Sequence, residues 1–137
     1  MAFLRFKRLI SNSKYPVQII WAGKPYPYDF YAIDIFNRLV HHSKHVKNLL
    51  QVGDTFTDHF CTNLNYPIEF IPIENPYKKK QGEKQTFKLL RDNKPLVNQV
   101  VHYSTRSKGE DSGEESVTRT NPKGLVTINL DKPGIWY

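Results

Sequence analysis

The chain is poor in the residues that carry redox and covalent chemistry. It has one cysteine, Cys61, in 137 residues, which excludes an internal disulfide and any all-cysteine zinc site. Cys61 stands in Thr57-Asp-His-Phe-Cys-Thr62, where no base and orienting group form a nucleophile set, so it reads as a plain, partly buried thiol. No P-loop, dinucleotide-binding glycine fingerprint or nucleophile elbow is present. No segment approaches the roughly 20 apolar residues needed to span a bilayer. The first eleven residues are basic and apolar, but charges interrupt the apolar run and no small-residue cleavage site follows. They do not read as a signal peptide, and as encoded the chain is expected in the cytoplasm.

An apolar fraction of 39% places the chain among folded globular proteins rather than disordered ones. Eight Tyr and eight Phe beside nine Pro favour strands and turns. The net charge of +7 invites a nucleic-acid reading. The basic residues are scattered, however, with Arg5, Lys7 and Arg8 at the start, Lys78 to Lys80 together and singletons elsewhere. A solvated lysine face is the simpler account, and no nucleic-acid partner is expected. Acidic residues gather at 109–116, which reads as a surface loop.

Along the chain, Phe3, Phe6 and Ile10 stand at near-helical spacing and predict a short helix over 3–11. Val17 to Ala22 is a β-branched and aromatic run expected as a buried strand. A turn at 23–27 leads to Asp29, the natural N-cap of an amphipathic helix that carries Ile33, Phe36, Val40 and Leu50 and ends near Gly53. From there the pattern alternates. Tyr66 to Ile73 suits an edge or bulged strand because of its prolines. Lys84 to Leu90 is a strand, Arg91-Asp-Asn-Lys94 a tight hairpin turn, and Pro95 to Ser104 continues the sheet. Strands follow at 116–120 and 125–130, with a last one opening at Ile135. The expected fold class is α+β: a helix-strand-helix fragment, then a small antiparallel β-sandwich, left incomplete with an unpaired edge at Trp136-Tyr137.

Two segments carry family resemblances. Lys14-Tyr-Pro-Val-Gln-Ile-Ile-Trp-Ala-Gly-Lys24, followed by Pro25, Pro27 and Phe36-Asn-Arg-Leu-Val40, resembles bacterial α-glucan (glycogen or starch) phosphorylases. The resemblance implies a pyridoxal phosphate site, with Lys24 near the phosphate. A lysine in a strand-to-helix turn has the reach for that role. The cofactor-bearing lysine motif of that family has no counterpart here. Gln51-Val-Gly-Asp-Thr55, Tyr66-Pro-Ile-Glu-Phe-Ile-Pro-Ile-Glu-Asn-Pro-Tyr77, Lys94-Pro-Leu-Val-Asn-Gln-Val-Val101 and Lys132-Pro-Gly-Ile-Trp-Tyr137 resemble the NikM-like family of exported bacterial domains. That resemblance implies an immunoglobulin- or transthyretin-like sandwich, with nickel or cobalt uptake as the associated process in some members. The domain division is accordingly 1–50, phosphorylase-like, and 51–137, NikM-like, with the seam within His41–Gln51.

Candidate sites are sparse. On a helix, His41 and His45 would stand at i, i+4 and reach one metal ion, with Asp54 and His59 as further ligands just downstream. The glutamate of an HExxH motif is missing, which excludes that metalloprotease class. His102 alternates within a strand and reads as surface or partner-facing. Asp29, Asp34, Asp54, Asp58, Glu69 and Glu74 show no acid/base pairing. The expectation is a non-catalytic module engaging a protein or small ligand. The alternatives are a relic of an α-glucan phosphorylase and an artificial open reading frame joining two genes.

Overall fold

The computed structural model describes the backbone of residues 2–9, 30–33 and 39–42, and residues 45–107, 109 and 113–137 in full. Its elements are β1 (Ala2–Leu9), β2 (Phe30–Ile33), β3 (Leu39–His42), β4 (His45–Val52), β5 (Ile68–Pro72), β6 (Lys84–Arg91), β7 (Lys94–Pro95), β8 (Val100–Arg106), β9 (Glu115–Arg119), β10 (Leu125–Asn129) and β11 (Ile135–Trp136), with 3-10 turns at Asp58–Cys61 and Pro76–Lys78. One sheet runs β4-β1-β11-β8-β9; a second runs β10-β6-β5, with β7 also paired to β6; β2 and β3 form a separate ribbon. Pairing is antiparallel throughout except between β1 and β4, which are parallel.

The two larger sheets share one core. Phe87 and Leu89 of β6 and Val126 and Ile128 of β10 meet Leu49 of β4, Val101 of β8 and Trp136 of β11. In β10 the alternation predicts the buried face correctly: Val126 and Ile128 are buried while Thr127 and Asn129 are exposed. Phe70 meets Phe87 edge-on at 6.3 Å, and Tyr103 stacks on Trp136 at 6.3 Å, both within the favourable range for aromatic pairs.

Turn chemistry sets the register. Asp92 and Asn93 both have positive φ, 48° and 64°, as a two-residue hairpin whose twist matches its strands requires. Gly124, at φ 71°, closes the turn before β10, where the Asn121 side chain accepts from the N–H groups of Lys123 and Leu125 at 2.8 and 3.0 Å. The stretch from Pro95 to Ser104, expected as one continuous strand, is divided. β7 belongs to the second sheet and β8 to the first, and the chain crosses between them through Asn98 at φ 54°.

The N-terminal expectations need correction. Residues 2–9 form a strand, not a helix: the i, i+3 spacing of Phe3 and Phe6 suits a helix face, and pairing to β4 and β11 overrides it. The helix expected from Asp29 to Gly53 is replaced, in its described parts, by β2, β3 and β4. In β4 the inward residues are Lys47, Leu49 and Gln51, while Val46 is 42% exposed. Two of three core-facing positions are polar, which hides a strand's hydrophobic period of two. The fold is therefore mostly antiparallel β-sheet. The strand expected at 17–22, the turn at 23–27 and the cap at Asp29 lie outside the described residues. The unpaired C-terminal edge is also absent: β11 lies between β1 and β8, and Tyr137 exchanges both backbone hydrogen bonds with Ser104 at 2.8 and 3.0 Å.

Candidate functional site

The most concentrated polar chemistry lies where the two sheets' edge strands, β4 and β5, approach each other. Lys47 projects from β4 into the interior and donates from Nζ to Glu69 Oε1 at 2.7 Å and to the Thr62 carbonyl at 2.6 Å. The Glu69 carboxylate also accepts the Leu64 N–H, at 2.9 and 3.0 Å to its two oxygens, and the Tyr66 N–H at 3.4 Å. The two side chains are 3% and 1% exposed. Buried charges of this kind persist only when paired and hydrogen-bonded, as here. Tyr66 closes the loop over this pair, with its ring 5.9 Å from that of His45. Partial burial, and then the negative charge of Glu69, push the Tyr66 phenol above its usual range.

A second tether lies one residue pair along. Tyr77, in the 3-10 turn after β5, donates its hydroxyl to the Leu49 carbonyl of β4, while its N–H is capped by the Asn75 side chain at 2.9 Å. Gln51 donates to the Gly53 and Thr55 carbonyls at 3.0 Å each, folding the 53–55 segment back on β4. Gln85 of β6 donates to the Glu74 carbonyl at 3.0 Å. Gln51 and Gln85 each keep a buried Oε1 without a hydrogen-bond partner among the described residues. Lys47, Glu69 and Tyr77 spend theirs on the fold, leaving neither the paired carboxylate nor the ammonium facing solvent. These three are structural.

The exposed polar cluster sits on β8 and β9. His102 Nδ1 lies 2.8 Å from Glu115 Oε1, with side chains 57% and 64% exposed. A carboxylate holding one imidazole nitrogen resembles the orienting half of an acid–base pair. Ser104, two residues along β8, spends its hydroxyl on the Glu114 carbonyl at 2.9 Å. Nearby, the Tyr137 hydroxyl accepts the Gly113 N–H at 3.2 Å, and the Arg106 guanidinium stands 6.0 Å from the Tyr137 ring. The Ser104 side chain, the Gly113 N–H and Arg106 hold the Tyr137 phenol below its usual range.

The residues expected as metal ligands are distributed differently. His41 and His45 stand on two separate strands, β3 and β4, so the i, i+4 relation that paired them is lost. His59 belongs to an exposed 3-10 turn and Asp54 is exposed on the loop after β4. Among the described residues, no group of three or more His, Cys, Asp or Glu side chains comes within reach of one metal ion. Lys24 lies outside the described residues. Cys61 is exposed rather than partly buried, its thiol turned to the Asp58 carbonyl at 3.0 Å. Among the described residues, no helix is long and apolar enough to cross a membrane. Lys47, Gln51 and Tyr77 escaped the sequence reading; the polar alternation of Lys47, Leu49 and Gln51 was the available signal.

The class these features define is a small β-rich domain in which two sheets share a core and buried polar tethers join their edges. The chain belongs to the family described as a domain of unknown function (DUF4198), which matches residues 37–137. Comparison with curated proteins and with solved structures found no match. The family match begins at residue 37, inside the stretch assigned above to a phosphorylase-like piece.

Proposed function

We propose that this chain is a non-catalytic binding module of the NikM-like type, with an immunoglobulin- or transthyretin-like sandwich presenting its surface to a protein or small ligand. The carrying observation is membership of the unknown-function family over 37–137, a stretch that contains the resembling motifs and most of the shared core. The fate of the polar residues supports the non-catalytic part. Lys47, Glu69 and Tyr77 are engaged in tethers, and Ser104, two residues from the exposed His102–Glu115 pair, spends its hydroxyl on the Glu114 carbonyl.

Thermal melts of the full chain with nickel, cobalt, magnesium or chelator test the metal-linked form of this reading. A melting temperature raised by nickel or cobalt and not by magnesium supports it; a melt indifferent to all four rejects metal as the ligand. Phosphorolysis of a maltodextrin in the presence of pyridoxal phosphate would overturn the non-catalytic assignment.

A further inference from the structure

We infer that β9 is a self-association edge, pairing antiparallel with β9 of a second copy about a two-fold axis at Val117. The inference goes beyond the ligand assignment above and does not depend on it. β9 is the last strand of its sheet, and among the described residues it pairs with β8 alone. Glu115, Ser116, Val117 and Arg119 are exposed, and Thr118 is half-buried. Among the described residues Val117, 59% exposed, is the most exposed large hydrophobic side chain.

The backbone of this edge is phased for a further strand. Ser104 of β8 exchanges both backbone hydrogen bonds with Tyr137 on its other side, at 2.8 and 3.0 Å. Ser104 is opposite Glu115, His102 opposite Val117 and Val100 opposite Arg119. These three pairs therefore fall in the non-bonded phase of the antiparallel ladder. The N–H and C=O groups of Glu115, Val117 and Arg119 point away from β8. Thr120, in the other phase, donates its N–H back to the Gln99 carbonyl at 3.0 Å. Three donors and three acceptors along an exposed edge form a template for one more strand.

The sequence of the edge specifies its occupant. Glu115-Ser-Val-Thr-Arg119 is complementary to itself when reversed. Antiparallel pairing centred on Val117 sets Glu115 of each copy opposite Arg119 of the other, Ser116 opposite Thr118, and Val117 opposite Val117. Every outward backbone group of the three odd-numbered residues then meets a counterpart. The charged pairs and the valines share one face of the joined sheet, because alternate residues do so along a strand. Glu115 keeps an oxygen beyond the one facing His102, and the Arg119 fork keeps donors beyond the one given to the Asn98 carbonyl. Moving the centre by one residue sets a charge opposite Val117; moving it by two opposes Glu115 to Glu115 or Arg119 to Arg119. A two-fold axis closes the assembly at a dimer. Five-residue edges bury less surface than a permanent interface does, so the dimer is weak and forms as concentration rises.

The test uses full-length chains and sedimentation velocity over a range of concentrations. The native chain should pass from monomer to dimer as concentration rises and go no further. Glu115→Arg alone and Arg119→Glu alone each oppose like charges twice across the axis, and each should self-associate about tenfold more weakly. Mixed together, the two variants set every cation opposite a carboxylate and should recover association as a heterodimer. Both positions are exposed, so melting temperatures near the native value check that each variant folds. In a Cys61→Ser background, Val117→Cys should oxidise to a linked dimer several-fold faster than Val97→Cys, a 48% exposed position outside β9. Opposed Cα atoms about 5.5 Å apart suit that disulfide. A native chain that stays monomeric throughout would overturn the inference. So would a dimer that neither charge reversal weakens, or a mixture of the two variants that associates no better than either alone.

Discussion

Lys47 and Glu69 join the edge strand of one sheet to the edge strand of the other through a 2.7 Å ion pair, almost wholly removed from water. Such a pair adds little net stability, because desolvation offsets most of the Coulomb attraction. The expected mutational pattern is asymmetric. Lys47→Met alone, or Glu69→Leu alone, should cost about 3–5 kcal/mol by leaving a buried charge unpaired. The double variant should recover a large part of that loss. Urea titrations of the three variants, combined in a double-mutant cycle, measure the coupling; equal and additive losses would contradict the account.

Tyr77 offers an independent check on the same corner. Tyr77→Phe keeps the ring in the core and removes the hydroxyl that meets the Leu49 carbonyl. A loss of about 1–3 kcal/mol is expected from the carbonyl left behind. Amide exchange should accelerate in β4 before it does so in β6.

At Gly124, the positive φ of 71° and the room around the residue act together. A Cβ there would lie 2.9 Å from Pro95 Cβ and 3.1 Å from the Leu89 carbonyl oxygen. Gly124→Ala should therefore destabilise by more than the ~1 kcal/mol of a compatible Gly-to-Ala change, and in the opposite direction. A lowered urea midpoint with an unchanged slope is the expected result.

Tyr66 and Tyr137 should titrate on opposite sides of ordinary tyrosine. Burial and the neighbouring Glu69 raise the first, while the Ser104, Gly113 and Arg106 contacts lower the second. Difference absorbance titrations of the native chain against Tyr66→Phe and against Tyr137→Phe read each phenol separately. The sign for stability follows for Tyr66: the folded state holds its proton more tightly, so its contribution is present below pH 10 and declines as the pH rises from there through the folded value.

His102→Ala should change stability by less than about 1 kcal/mol, since its pair with Glu115 is solvent-exposed. A chemical-denaturation midpoint close to that of the native chain is the expected outcome; a large drop would reveal packing by His102 beyond the pair.

From β5 onward most elements were legible because local chemistry and tertiary position agree, the division of residues 95–104 between two sheets being the exception. Pro67 and Pro72 mark an edge strand, and β5 is one; Asp92-Asn93 predicts a two-residue turn, and both residues have positive φ. The candidate metal set was less legible. The helical i, i+4 relation assumed for His41 and His45 does not hold, because they stand on two strands, β3 and β4.

What the sequence determined by itself was therefore local: the hairpin at Arg91–Lys94, the buried face of β10, the exclusion of an internal disulfide, and the alternating strands of the second half. Tertiary structure decided the rest. β4 became a strand despite Lys47 and Gln51 pointing inward, because Glu69, Thr62 and the carbonyls of Gly53 and Thr55 were there to receive them. A buried polar residue has no hydrophobic period to announce it; its partners lie elsewhere in the chain, and only folding brings them within a hydrogen bond's length.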